Sequence, residues 1–266
     1  MSKVFIASFN RASDEALNKL KEKLKEREML VEDYKNADYI LACGDRKETF
    51  DFIRPRWEEN RKIIHLWAGE ISQGTHDEVY RHAMTLMSEL QLCTNETAKN
   101  RTEALCRAVN KEPNAKVVGN VMLDSLEIDE SAVPKNEYDL ILYNPPTNLN
   151  PNEIREELKQ ITDMIKGKMI WIEPNGDPGS ELIMPFVTIK NLPRPVFLGL
   201  MKNCKRFITN SSCAYYEAPF LLKVEQIVII GERNKERESK YADMTIKNAS
   251  ENIINEIQQY DSRPNK

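Results

Sequence analysis

Short apolar runs and charged, helix-patterned stretches alternate from one end of this chain to the other, and that alternation limits the fold more than any other feature. Residues 3–8, Tyr39–Cys43 and Ile63-Ile64-His65-Leu66-Trp67 read as buried strands, with a shorter one at residues 116–118. Residues 13–28 place Leu17, Leu20 and Leu24 at three- and four-residue spacing, the stripe of an amphipathic helix. Residues 77–90 and 94–110 read as two further helices. A cluster of Asp, Glu, Ser, Pro and Asn at residues 129–137 interrupts the pattern. It then restarts, with strands at 138–143, 168–172, 205–208 and 224–231 and helices at 152–165, 195–203 and 248–259. Such alternation predicts a parallel sheet with helices on both faces. A chain of 266 residues is long enough for two such sheets, each with its own core. We therefore expect an α/β protein of two doubly wound, Rossmann-like domains facing a cleft. The expected domains are residues 1–130 and 131–247, with a terminal helix in 248–266 returning to the first. Ligands of such sheets sit beyond the carboxyl ends of the strands, and a cleft between two domains is the expected site.

Composition narrows the partners. Hydrophobic residues make up 41% and charged residues 30%, with a net charge of -4, so neither nucleic acid nor an acidic membrane is expected as a main partner. No apolar run approaches the roughly 20 residues that cross a bilayer. Residues 1–11 turn polar too early for a secretion signal and read as a first strand, so a cytoplasmic location is expected. The five cysteines (Cys43, Cys93, Cys106, Cys204 and Cys213) are scattered, with no Cys-x-x-Cys pair. They read as reduced thiols, and no metal site is expected from them or from the three histidines.

Chemistry concentrates in the loops after the strands. The segment Thr209-Asn210-Ser211-Ser212-Cys213-Ala214-Tyr215-Tyr216-Glu217-Ala218-Pro219 reads as a tight polar turn leading into a helix. Glu217 would stand about one and a half turns inside that helix. Two serines before a helix are first of all N-cap residues. The free N–H groups of a helix start, with serine hydroxyls beside them, also suit an anion, and a carboxylate on the same helix suits a sugar diol. Phosphate and ribose together suggest a nucleotide. Two arginine-bearing loops, at Arg11 and Arg233, suit a diphosphate, because guanidinium matches phosphate oxygens bidentately. Several strand-end carboxylates could serve proton transfer.

Taken in order, these loops resemble the UDP-N-acetylglucosamine 2-epimerase family, and more closely its hydrolysing branch of sialic-acid-type pathways. The matching stretches are Phe9-Asn10-Arg11-Ala12, Gly44-Asp45-Arg46, His65-Leu66-Trp67-Ala68-Gly69-Glu70, Gly74-Thr75-His76-Asp77-Glu78 with Arg81-His82, Pro174-Asn175-Gly176-Asp177-Pro178-Gly179-Ser180, Asn210-Ser211-Ser212-Cys213 with Glu217, and Gly231-Glu232-Arg233 with Arg237. The resemblance implies the two-domain fold shared with many glycosyltransferases, GT-B. It implies that UDP lies on the second domain, with Ser211 and Ser212 on the diphosphate and Glu217 on the ribose. Arg11, Asn144 and Arg233 would contact phosphate, Arg11 from across the cleft. Asp45 and Asp77 match catalytic carboxylates. The implied reaction is elimination of UDP across C1–C2 of the sugar, then addition of water with inversion at C2, releasing N-acetylmannosamine. It needs no metal and no redox cofactor. The implied partners are a UDP-sugar and, because family members are often dimers, a second copy or a related enzyme.

The chain departs from that pattern in three places. Trp67 stands where the family usually carries a catalytic glutamate, and indole has one N–H donor but neither takes nor gives a proton as an acid or base at neutral pH. Glu70, three residues on, is the candidate substitute. Trp67 itself reads either as core packing at a strand end or as a platform for a sugar ring. Asn144, in Asn144-Pro145-Pro146-Thr147, stands where a family histidine is expected, and an amide cannot shuttle protons. Only residues 29–38 separate the first helix from the next strand, where the family has several more elements, so a reduced first domain is expected. Losing one general acid or base typically costs ~10²–10⁴ in rate. The alternatives are a non-catalytic UDP-sugar-binding homologue or partner subunit, and a glycosyltransferase or nucleotide-sugar hydrolase on the same fold.

Overall fold

The computed structural model describes residues 2–9, 11–72, 76–174, 176, 178–187, 189–190, 192–234 and 246–262, with 11–13 and 125 described by backbone alone. The chain divides into two compact units. Described residues within Met1–Glu70, Asp77–Ser125 and Ala242–Lys266 form the first, and those within Ile71–His76 and Leu126–Tyr241 the second.

In the first unit β1 (Val4–Ala7) leads into α1 (Arg11–Ala16) and α2 (Asn18–Glu26). The single helix expected over residues 13–28 is thus broken at Leu17, whose backbone leaves the helical region. β2 (Tyr39–Cys43), α3 (Lys47–Glu58), β3 (Lys62–Leu66), α4 (Asp77–Met87), β4 (Leu90–Cys93), α5 (Glu96–Ala108) and β5 (Ala115–Val117) follow. The strands pair in parallel in the order β1-β2-β3-β4-β5. Alternate strand residues face opposite ways, and the two faces have separate cores. Leu41, Leu66, Leu90 and Leu92 pack with Leu20 and Leu24 of α2 on one face. Ile40, Ala42 and Ile63 pack with Ile53 of α3 and Met84 of α4 on the other. β2 is therefore buried on both faces, and its apolar run shows no alternation.

Leu30 completes this topology. Val4 N–H donates to Met29 O at 2.7 Å and Val31 N–H donates to Val4 O at 3.0 Å, so Leu30 bridges to the edge of β1 opposite β2. In chain order the ladder is then second-first-third and onward, a doubly wound order whose direction reverses between β1 and β2. The helices change face at that same point, so the connections on either side share one hand, as parallel crossovers do. Without Leu30, the β1-to-β2 crossover over α2 would have the opposite hand to β2-to-β3 over α3.

The second unit contains β6 (Asp139–Leu142), α6 (Pro151–Met164), β7 (Met169–Trp171), α7 (Arg194–Asn203), β8 (Arg206–Thr209), the single-turn helices α8 (Cys213–Tyr216) and α9 (Ala218–Leu221), and β9 (Ile227–Ile229). Its strands are parallel in the order β7-β6-β8-β9, which reverses between β6 and β8. Ile141 and Ile208 pack with Ile154, Leu158 and Ile161 of α6. Phe207, pointing the other way, meets Phe197 of α7 with ring centroids 6.1 Å apart. Asn150 and Glu153 form a capping box that starts α6.

The last helix, α10 (Ala249–Asp261), packs in the first unit: Ile253, Ile254 and Ile257 join the core that holds α2. Both oxygens of Asp124 accept from its first N–H groups, Ala249 N at 3.2 Å and Ser250 N at 2.5 Å. Glu251 pairs with Lys23 at 3.0 Å and Arg27 at 2.6 Å on α2.

Candidate functional site

In the second unit the loops beyond β6, β8 and β9 are tied together by Asn210. Its Oδ1 accepts from Asn144 N–H at 2.8 Å, and its Nδ2 donates to Asn144 O at 2.6 Å. Its own carbonyl accepts from Asn234 Nδ2 at 2.6 Å. Asn144 and Asn210 thus sit together where the strand order reverses, the place at which an open α/β sheet leaves room for a ligand. Ser211 N–H donates to Thr209 Oγ1 at 2.9 Å, which folds the turn back on its strand. The Ser211 hydroxyl accepts from Cys213 N at 3.4 Å, so it takes one free N–H of the helix start; Ser212 makes no side-chain cap.

One expectation is corrected here. Glu217 is not inside the helix that the serines begin. That helix ends at Tyr216, and Glu217, at φ -125° and ψ -48°, joins it to a second single turn. The cause is Pro219, which has no N–H to continue the ladder. Glu217 is also buried, 4% exposed, and it faces Arg194 at the first position of α7. Arg194 Nε and Nη2 both donate to Glu217 Oε1, at 3.1 and 2.6 Å. Burial pushes the Glu217 carboxyl above its usual range, and Arg194 opposes that rise. Arg194 was not legible as a site residue. The signal that could have found it is local: a cation at a helix start opposes the helix dipole, so it needs another reason to be there.

Beyond β9, Gly231 has φ +68°, a left-handed backbone that favours glycine, and its Cα lies close against the carboxylate of Glu157. Glu157 accepts from the Tyr143 hydroxyl. Burial raises both groups, and the charge of Arg233, two residues past Gly231, lowers that of Tyr143.

In the first unit the three proposed catalytic carboxylates gather around α4. Arg81 is buried, its side chain 3% exposed. Its Nη2 donates to Asp45, beyond β2, and its Nη1 donates to Glu78 and, at 2.9 Å, to the carbonyl of Glu70, beyond β3. The Glu70 carboxylate accepts from the Thr94 hydroxyl beyond β4. Asp77 opens α4 and stands 3.5 Å from Arg46 Nη1, next in the chain to Asp45. Arg46 and Arg81 therefore bring Asp45, Glu70 and Asp77 to one end of the sheet.

Two neighbours shape that end. His65 is fully buried; its Nε2 lies 2.8 Å from Gly44 O and its Nδ1 3.0 Å from Thr85 Oγ1. A carbonyl can only accept, so Nε2 carries the proton of the neutral ring. Burial, with Arg81 adding to it, pushes the imidazole down to about 4. Trp67 leaves β3 in the left-handed region, φ +66°, and packs against the core shared by α2 and α10. Of the two readings of Trp67, these contacts support packing. Gly69, at φ +73°, is forced: a Cβ there would lie 2.0 Å from Ala98 O.

Asn10, Gly74, Thr75, Asn175, Asp177 and Arg237, together with the side chain of Arg11, lie outside the described residues. Among the described residues no group of His, Cys, Asp and Glu is arranged to hold a metal ion, and no helix is long and apolar enough to cross a membrane.

Residues 7–266 match the family described as UDP-N-acetylglucosamine 2-epimerase. The UDP-N-acetylglucosamine 2-epimerase of Neisseria meningitidis serogroup B is 27% identical over 244 residues, 84% of this chain and 63% of that protein. The hydrolysing UDP-N,N'-diacetylbacillosamine 2-epimerase of Legionella pneumophila is 28% identical over 226 residues, 76% of this chain and 58% of that protein. The chain thus spans less than two thirds of the length of these relatives. A solved structure of the N. meningitidis UDP-GlcNAc 2-epimerase bound to UDP-GlcNAc matches with a TM-score of 0.62 at 17% identity, over 92% of this chain and 80% of that one. The Methanocaldococcus jannaschii UDP-GlcNAc 2-epimerase, in complex with UDP-GlcNAc and UDP, matches with a TM-score of 0.62 at 18% identity, over 92% and 80%. These likenesses show the fold.

Proposed function

This chain belongs to the UDP-N-acetylglucosamine 2-epimerase family, and from that premise we propose that it binds a UDP-N-acetylhexosamine and cleaves it by the hydrolysing epimerase route. A base removes the C2 proton as the C1–O bond breaks and UDP departs, aided by an acid. Water then adds at C1 and a proton returns to the opposite face of C2. In this reading Asp45, Glu70 and Asp77 supply the proton transfers. Ser211 and Ser212 hold the diphosphate, Glu217 the ribose, and Arg11, Asn144 and Arg233 the phosphates. The observation that carries it is the gathering of Asp45, Glu70 and Asp77 around Arg81 and Arg46. The first unit in this reading is a reduced form of the family domain, with Leu30 keeping the place of a strand beside β1.

A second reading is favoured by one observation: Trp67 is committed to core packing in a left-handed backbone and offers no proton. It makes the chain a UDP-sugar-binding homologue without turnover, and a partner of a related enzyme. Proton NMR of the purified protein with UDP-N-acetylglucosamine separates the two. Appearance of N-acetylmannosamine with UDP is the expected result. N-acetylglucosamine with UDP would make it a simple hydrolase, and binding of UDP without turnover favours the second reading. Glu217→Ala should weaken UDP binding by ~1–3 kcal/mol, the cost of a lost hydrogen bond to a charged group. If neither UDP nor a UDP-sugar shifts the melting temperature, the nucleotide reading fails.

A further inference from the structure

Arginine–carboxylate pairs usually meet fork to fork, with one N–H on each carboxylate oxygen. The Arg194–Glu217 pair does not. Nε and Nη2 converge on Oε1, at 3.1 and 2.6 Å. Among the described residues no hydrogen bond reaches Oε2, and Oε2 is absent from the polar atoms sealed from solvent without a partner. One oxygen of the carboxylate is pinned, and the other keeps its access to solvent. The pair is otherwise enclosed, with side chains 11% and 5% exposed. It joins the first residue of α7 to the residue between α8 and α9, one short helix beyond the turn that carries Ser211 and Ser212. The Glu217 N–H donates to Cys213 O at 3.0 Å and its carbonyl accepts from Phe220 N–H at 3.1 Å, which holds its backbone at the joint between two single turns. Among the described residues Arg194 is the partner that fixes its carboxylate.

We propose that Arg194 is the positioning residue for ribose recognition: it fixes Glu217 by Oε1 and leaves Oε2 to accept from the 2'- and 3'-hydroxyl groups of a nucleotide. The inference rests on the nucleotide reading above and adds to it the residue that sets diol recognition. Lysine would not replace Arg194, since one ammonium cannot reproduce two N–H groups in a fixed plane.

The test compares affinities for UDP and 2',3'-dideoxyuridine diphosphate by calorimetry, in the unmodified protein and in the variants Arg194→Gln, Glu217→Gln and the double variant. The unmodified protein should prefer UDP by roughly 10- to 100-fold, the ratio expected when a charged acceptor loses its donors. Arg194→Gln should bring that preference to within about threefold while affinity for the dideoxy nucleotide holds, and the double variant should lose no more than either single one. A purely structural role would weaken both nucleotides alike, and that result overturns the proposal, as does a preference that survives Arg194→Gln. If the unmodified protein binds neither nucleotide, the nucleotide reading has failed; if it binds both equally, the ribose role of Glu217 has failed. Should Arg194→Gln not fold, Arg194→Lys is measured instead. Its preference should fall at least about threefold, and an unchanged preference overturns the proposal.

Discussion

Replacing Arg81 by glutamine should unsettle the first unit more than any other single change at its carboxylate cluster. The guanidinium donates to Asp45, to Glu78 and to the Glu70 carbonyl. Hydrogen bonds to charged groups contribute about 1.5–3 kcal/mol each, and breaking a buried ion pair from one side costs about 3–5 kcal/mol because the other charge stays behind. Here the stranded carboxylates are not sealed off: the Asp45 and Glu78 side chains are 25% and 23% exposed. Water can recover part of their solvation, so the lower end applies, about 3 kcal/mol. That is a large part of a domain stability of roughly 5–15 kcal/mol. The assay is urea unfolding followed by tryptophan fluorescence in a Trp171→Phe background. Trp171 belongs to the second unit, so Trp57 and Trp67 then report on the first alone. With a urea slope of about 1–3 kcal/mol per molar, the midpoint should fall by about 1–3 M. Adding Asp45→Asn removes one stranded charge, so the double variant should be more stable than the sum of its parts by at least ~1 kcal/mol. A loss below ~1 kcal/mol for Arg81→Gln, or additivity within ~0.5 kcal/mol, would refute the view that Arg81 holds this cluster.

Gly69→Ala should cost about 2–5 kcal/mol, combining ~1–2 for a left-handed backbone with ~1–3 for overpacking against Ala98 and Thr102. Gly176→Ala is the control, since its added Cβ meets nothing within 4 Å; equal melting temperatures for the two variants would rule out the packing argument. His65 gives the first unit a pH dependence of known sign. Its ordinary value of 6.5 falls to about 4 in the fold, so the unfolded chain binds the proton first. Stability is full above pH 6.5 and declines as pH drops toward 4, by roughly 2–3 kcal/mol between pH 7 and 4.5. His65→Gln should flatten that window, and an unchanged pH profile in this variant would show that other groups cause the decline.

The sequence was most readable where one physical demand dominated. Tyr39–Cys43 was found to the residue because a strand buried on both faces must be apolar throughout. α3 escaped, since only Thr49 and Ile53 of its residues are buried and Pro55 interrupts the pattern. The sequence pattern carries a helix on to Leu90, whereas that helix stops at Met87 and Leu90 begins β4; four residues are too few for periodicity to decide. Leu30 could not be found at all, because a single bridging residue has no pattern. Asp45, Glu70 and Asp77 were legible by the order of their loops, but their common supports were not. Arg81 was visible only as part of a motif, and the partner of Arg194 lies 23 residues along the chain. Long-range pairing is invisible to local spacing.

The position of Trp67 bears on the proposal that a family glutamate is replaced there. Among the described residues, the hydrogen bonds and the ion pair that gather Asp45, Glu70 and Asp77 run from Arg81 on α4, Arg46 after β2 and Thr94 after β4, not from residue 67. Trp67 instead fills space beside Gly44, with its ring 3.9 Å from where a Cβ of that glycine would sit. A chain that had given up its chemistry would have little reason to keep a buried guanidinium among carboxylates, because such a cluster costs desolvation and adds little stability over an apolar replacement. In that proposal, tryptophan at position 67 and the buried Arg81 among carboxylates pull in opposite directions. The retained cluster is the larger commitment of structure, since it engages loops after three strands. That weight favours an enzyme whose proton transfers have moved to Glu70 and its neighbours over a protein that only binds.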